Sequence, residues 1–174
     1  MLFRSLVKER IAGDARARFE DSIRTRAAGL GAVITRIHYV ADDDTAVTAA
    51  LRAAVRGPAR ATIVLTAGGA STDPGDSFYA AVDALGGRVV RHGVPAHPGS
   101  MLWLGRIGRS AVLGLPSCGA YSKATAADLL LPLLVAGLPA NAATVARLAH
   151  GGILDRTQRY RFPAYALGLD APDG

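Results

Sequence analysis

The sequence predicts an α/β fold, a three-layer sandwich with a mostly parallel sheet. Three observations carry that prediction. Helix-period segments alternate with short β-branched or apolar runs along most of the chain. The run from Ala61 to Leu65 is continuously apolar, the pattern of a strand buried on both faces. Of the 174 residues, 50% are hydrophobic and only 6% aromatic, which suits one sizeable core of small aliphatic side chains.

The elements follow in order. Over 14–30, Ala15, Phe19, Ile23, Ala27 and Leu30 recur at helical spacing with arginines on the other face, and Gly31 stands where a C-terminal glycine cap belongs. Residues 32–40 are rich in β-branched side chains and read as a strand. Asp42-Asp43-Asp44 then offers an N-cap to a helix running through Val47, Leu51 and Val55 to Gly57, a better account of the triplet than a metal site, because a helix start favours carboxylates by itself. The strand over 61–66 feeds a glycine loop, and a helix with Phe78, Val82 and Leu85 on one face stops at Gly86-Gly87. A strand over 88–93, a tight loop over 94–100, and a hairpin of 101–107 and 110–113 turning at Gly108-Arg109 come next. A long helix is expected over 121–136 and a short one over 141–150, with an extended arm over 151–174. Two units result: a domain over 1–137, and a C-terminal helix and arm over 138–174 that packs on the domain or on a neighbouring subunit.

Composition narrows the function classes. The formal charge of +6 is almost wholly arginine, since Lys8 and Lys123 are the only lysines. Genome base composition accounts for this, and attraction of an acidic ligand is the alternative. No compact basic run interleaved with aromatics is present, so nucleic acid is the weaker option. The single cysteine, Cys118, supports neither a disulfide framework nor zinc-ligand spacing, and a reducing cytoplasmic setting is expected. The N-terminus lacks the apolar core of a signal peptide, and no stretch is apolar and long enough to span a membrane.

Two loops concentrate the chemistry: Thr66-Ala67-Gly68-Gly69-Ala70-Ser71-Thr72-Asp73-Pro74-Gly75-Asp76, and Gly114-Leu115-Pro116-Ser117-Cys118-Gly119. Each lies between an apolar run and a helical stretch. Amide hydrogens exposed at such a junction, with the positive end of a helix dipole, favour an oxyanion. The two together suggest one pocket for an anionic ligand. Ser71 and Ser117 offer hydroxyls to phosphate oxygens or satisfy local backbone, and Asp76 is placed to cap the helix from Ser77. Cys118 reads either as a thiol activated at a helix start or as a small residue filling a tight turn, and no sequence feature pairs it with a base.

The ordered set of Gly68-Gly69 with Asp76, then Pro98-Gly99, then Gly114-Leu115-Pro116 resembles the molybdopterin-binding domain shared by MoeA, MogA and gephyrin proteins of molybdenum cofactor biosynthesis, over about residues 10–137. The resemblance implies a molybdopterin-binding-domain-like fold and a homo-oligomer, dimer or trimer. It also implies a pterin-phosphate or nucleotide ligand at Gly68, Gly69, Ala70, Ser71, Asp73, Asp76, His97, Pro98, Gly99, Ser100, Pro116, Ser117, Cys118 and Gly119. Molybdopterin is the expected ligand. Asp76 falls where the family carries out cofactor chemistry and is the candidate catalytic residue, with magnesium a possible companion and no firm metal site otherwise. The departures are His97 and Ser100, where MoeA and gephyrin place lysines, and Ser117-Cys118-Gly119, where they continue with Gly-Asn-Pro. Fixed positive charge is thereby lost, and histidine replaces it only part of the time near neutrality. The further domains of the insertases are lacking, so an autonomous insertase is not expected. Three other readings stay open: nucleotidyl transfer to the pterin, a hydrolase acting on another nucleotide phosphate, and an interaction module docking through Arg156, Arg159 and Arg161.

Overall fold

The computed structural model describes residues 1–8, 13–57, 60–69, 73–116, 123–149, 152–154 and 156–169. Six strands, β1 (Leu2–Val7), β2 (Val33–Tyr39), β3 (Ile63–Ala67), β4 (Arg88–His92), β5 (Trp103–Ile107) and β6 (Ser110–Gly114), form one sheet in the order β2-β1-β3-β6-β5-β4. The pairs β2/β1, β1/β3 and β3/β6 are parallel, whereas β5 runs against both β6 and β4. The helices are α1 (Gly13–Gly29), α2 (Asp44–Arg56), α3 (Ser77–Ala84), α4 (Ala126–Val135), α5 (Ala142–Ala146) and α6 (Ala164–Leu167).

Two cores flank the sheet, which makes the three layers. One joins Phe3, Leu65, Leu104 and Leu113 to α1 and α4 through Phe19, Ile23, Leu130 and Leu134. The other joins Leu6, Val64, Trp103 and Val112 to α2 and α3 through Val47, Leu51, Phe78 and Val82. Alternation along β1 divides Phe3 and Val7 from Leu6 in this way.

Strand β1 is the element that periodicity missed. Arg4 and Ser5 interrupt its apolar run, yet it lies between β2 and β3 with Ser5 fully buried. Helix α1 also departs from expectation, because Arg26 belongs to its buried face rather than its arginine-rich exposed one. Helix α4 begins at Ala126, not 121, because Thr125 and Asp128 form a capping box there: each side chain bonds the other's region of free backbone amides. Residues 121–122 lie outside the described part of the chain.

Beyond α4, Asn141 caps α5 by accepting from the Thr144 amide. In place of an arm without regular structure, 156–161 form a 3-10 turn and α6 follows. Helix α6 seats on α1, the Tyr165 ring occupying the space that a Cβ at Gly29 would need.

Candidate functional site at the carboxyl edge of the sheet

Strand register places the loops. Thr66 pairs with Gly114 across β3 and β6, and the Leu115 amide donates to the Thr66 carbonyl at 2.8 Å, so the two glycine-bearing exits leave the sheet side by side. Gly114 also pairs with Trp103, and Trp103 with His92. The connection from β4 to β5, which contains His97, Pro98, Gly99 and Ser100, therefore reaches the same edge. Strand β1 ends there too, where the Lys8 amide donates to the Ala67 carbonyl at 3.0 Å. The chain leaves β1 toward β2 and returns on the other side to β3, so this edge is also a topological switch point, the usual place for a ligand crevice in an open α/β sheet.

At the switch point lies a charged cluster. The Lys8 ammonium donates to Asp76 Oδ2 at 2.7 Å and to Ser77 Oγ at 3.0 Å, and pairs with Asp42 Oδ1 at 2.9 Å. It also lies 5.2 Å from the centre of the Phe78 ring. Ser77 Oγ donates to Asp42 Oδ1 at 2.9 Å. The side chains of Lys8 and Asp76 are 3% and 4% exposed, so this pair is withdrawn from water, whereas that of Asp42 is 61% exposed. Burial opposes the charged ammonium, but its bonds to Asp76 and Asp42 outweigh that and raise the Lys8 pKa. The bond from Lys8 holds Asp42 below the usual aspartate range.

Asp76 does what its position suggests locally: Oδ1 accepts from the Phe78 amide at 2.8 Å and caps α3. A lysine and a backbone amide are thus among its partners. An ammonium already neutralises the carboxylate that a magnesium ion would need, and the described residues contain no group of three histidine, cysteine or carboxylate side chains suited to a metal. Asp73 is exposed and accepts from the Gly75 amide at 2.8 Å, a local turn bond.

The glycines permit left-handed backbone or close approach of neighbouring groups. Gly68 has φ of 79°, a left-handed conformation, and a Cβ at Gly69 would come within 3.1 Å of Asp76 Oδ2. Gly99 has φ of 106° and faces the start of α4, where the Pro98 carbonyl accepts from the Ala126 amide at 2.9 Å. The first turns of α3 and α4 are therefore occupied by Asp76, by the Thr125–Asp128 box and by Pro98. This corrects the expectation that open helix starts would supply the anion site. Pro116 is buried; Ser100 is half-buried; His97 is exposed, and its backbone pairs with 152–154. Ala70, Ser71, Ser117, Cys118 and Gly119 lie outside the described residues.

Two features of this edge were not singled out from the sequence. Lys8 is one; its rarity among eighteen arginines was the available signal, but only the recognition of β1 would have placed it. The other is an aromatic wall: Tyr79 meets Trp103 edge-on at 5.1 Å and His92 at 5.9 Å. Burial, with the nearby charges of Asp76 and Asp73, pushes the Tyr79 hydroxyl up to about 12. Arg159 and Arg161, read as docking residues, lie within 3.4 Å of the Leu167 and Leu148 carbonyls of their own chain.

With this geometry in place, comparison with known proteins identifies the class. Residues 5–136 match the family model of the probable molybdopterin binding domain. The match spans most of the chain, and the protein belongs to this family of molybdenum cofactor biosynthesis. The fold is similar to MoaB from Thermus thermophilus, with 20% identity and a TM-score of 0.51 over 85% of this chain and 95% of that one. It is also similar to MoeA from Pyrococcus horikosii, with 22% identity and a TM-score of 0.50 over 79% of this chain. The match spans only 34% of that MoeA chain. No curated protein matches the sequence. No described helix is long and apolar enough to cross a membrane.

Proposed function

We propose that the protein binds molybdopterin or a related pterin phosphate at the carboxyl edge of the sheet, as a carrier or as a partner in cofactor assembly. One observation carries the reading: the loops after β3 and β6 and the turn at Pro98-Gly99 all leave the sheet at one edge, beside the switch point between β1 and β3. The left-handed backbone of Gly68, without a Cβ, fits the close approach of a phosphate, and Tyr79 and His92 offer an aromatic flank to a flat ring system.

Charge decides how the phosphate would be held. Among the described residues of the cluster, Asp42, Asp73 and Asp76 contribute three carboxylates, and the Lys8 ammonium is bound to two of them. Lys8 is thereby already engaged, and in this reading the main-chain amides of the loops after β3 and β6 supply the attraction. Binding of this kind is nearly independent of salt, whereas a site built on lysines weakens as salt screens it. Titration calorimetry with molybdopterin at 50 and 200 mM salt tests the reading. Saturable binding that changes less than about threefold between the two supports it, and absence of binding at both refutes it. A Gly69→Val variant, whose added carbons meet Asp76 and Phe78, should lose the affinity.

Nucleotidyl transfer is the second reading, and Asp76 would be its reacting carboxylate. The Lys8 bond favours a positioning role for Asp76 instead. Turnover that survives Asp76→Asn with its rate intact excludes a catalytic carboxylate. Assembly as a dimer or trimer, and a cytoplasmic setting, belong to the same proposal, and analytical ultracentrifugation measures the first.

A further inference from the structure

The opposite edge of the sheet, where the parallel strands begin, carries the reverse charge. Two clefts of about 580 and 400 Å³ open there and share Arg60, Gly108 and Arg109. The larger adds Arg106 and the apolar Leu134 and Leu138; the smaller adds Arg56. No aspartate or glutamate among the described residues lines either cleft. Arg56 spends a guanidinium hydrogen on the Leu85 carbonyl at 2.8 Å, whereas Arg60, Arg106 and Arg109 have no ionic or hydrogen-bonding partner among the described residues.

A second observation points the same way. Arg106 stands directly opposite Arg88 across β5 and β4, a like-charged cross-strand pair that costs stability. The carboxyl ends of α2, α3 and α4 face this edge, but each helix end contributes only about half a negative charge, against four lining arginines. The edge therefore remains cationic. The larger cleft also falls within the volume range of small-molecule sites, roughly 300–1,000 Å³.

We infer that this cleft is a second binding site, distinct from the carboxyl edge, and that it takes a small polyanion bearing two or more phosphate or carboxylate groups. Arg109 in the hairpin turn and Arg106 just before it line this cleft together with Arg60, and planar guanidinium forks recognise such oxyanions bidentately. The inference stands independently of pterin binding at the other edge.

Calorimetric titration of the full chain with inorganic tripolyphosphate tests it. The R60A/R106A/R109A variant should lose at least tenfold in affinity. An R18A/R36A/R52A variant, which removes the same charge from exposed positions elsewhere, should stay within about twofold of the parent. The three cleft arginines are exposed and have no partner among the described residues, so their removal leaves the fold intact, which far-ultraviolet circular dichroism checks. Equal losses in the two variants would reduce the effect to overall charge and overturn the site. So would unchanged binding by the cleft variant, which would place the anion at the glycine loops, and so would no saturable binding by the parent at millimolar ligand.

Discussion

Arg26 of α1 and Asp128 of α4 form a bidentate ion pair that is completely buried, Nε to Oδ1 at 2.8 Å and Nη2 to Oδ2 at 3.1 Å. Asp128 Oδ2 also accepts from the Thr125 amide at 2.9 Å, so one carboxylate starts the helix and ties it to a helix 102 residues away in sequence. The Arg26 guanidinium further donates to the Lys123 carbonyl at 3.0 Å, which fixes the chain entering α4. Removing one partner strands the other charge in the core. Asp128→Leu should cost about 3–5 kcal/mol, and the double variant Arg26→Met, Asp128→Leu should recover a large part of it. Urea midpoints measure both; a single variant no less stable than the double one would contradict the account.

Lys8 and Asp76 are predicted to behave as a coupled pair, with Asp42 as an outlying member. Lys8→Met leaves the Asp76 carboxylate buried without its cation, a loss of about 3–5 kcal/mol. Adding Asp76→Asn should restore more than half. Asp42→Ala, at an exposed side chain, should cost only about 0–1 kcal/mol. A double-mutant cycle with no coupling between positions 8 and 76 would show the bond to be energetically idle.

Gly99 and Gly108 provide a matched contrast. Both have positive φ, 106° and 55°, but a Cβ at Gly108 meets open space, whereas one at Gly99 would lie 2.8 Å from the Ala126 amide nitrogen and 3.0 Å from Thr125 Cβ. Gly108→Ala should therefore cost about 1–2 kcal/mol from backbone strain alone. Gly99→Ala should cost visibly more in the same thermal denaturation series and displace the start of α4. Equal costs would mean that the Pro98-Gly99 turn is not pressed against that helix.

Alkaline pH should destabilise the protein, and Lys8 and Tyr79 are two of the groups through which it does so. The raised pKa of Lys8 means that its stabilisation is complete below the ordinary lysine value, near 10.4, and disappears as pH climbs through the raised one. Tyr79 stays protonated in the fold up to about 12 but ionises near 10 once exposed, so stability falls further between those values. Tyr79→Phe should flatten that part of a plot of urea midpoint against pH. On the acid side, the depressed Asp42 contributes above the ordinary aspartate range, and its share is lost as pH falls through the lowered value.

Much of this architecture was legible in the chain because local signals and tertiary context agree. Asp43 caps α2 through the Ala46 amide, Gly31 ends α1 at φ of 63°, and Gly108-Arg109 turns the β5–β6 hairpin, each at its expected place. Two of the misses share one cause. Strand β1 and the buried face of α1 contain charged residues, and their partners, Ala53 for Arg4 and Asp128 for Arg26, lie 49 and 102 residues along the chain. Periodicity cannot see such partners. The candidate site divides similarly: glycines and turns announced the loops, but the lysine that anchors Asp76 comes from 68 residues upstream, and only the fold brings it beside Asp42 and Asp76.

The reversed strand β5 has a consequence for how this domain can diversify. Two successive reversals of direction, β6 against β5 and β5 against β4, cancel, so the 93–102 crossover is delivered to the rim reached by the parallel members. That rim is assembled from segments far apart in the gene yet anchored on separate rails of one rigid platform. Each can lengthen, shorten or change its side chains without disturbing its neighbours, so ligand preference can be rewritten loop by loop while the scaffold beneath stays as it is.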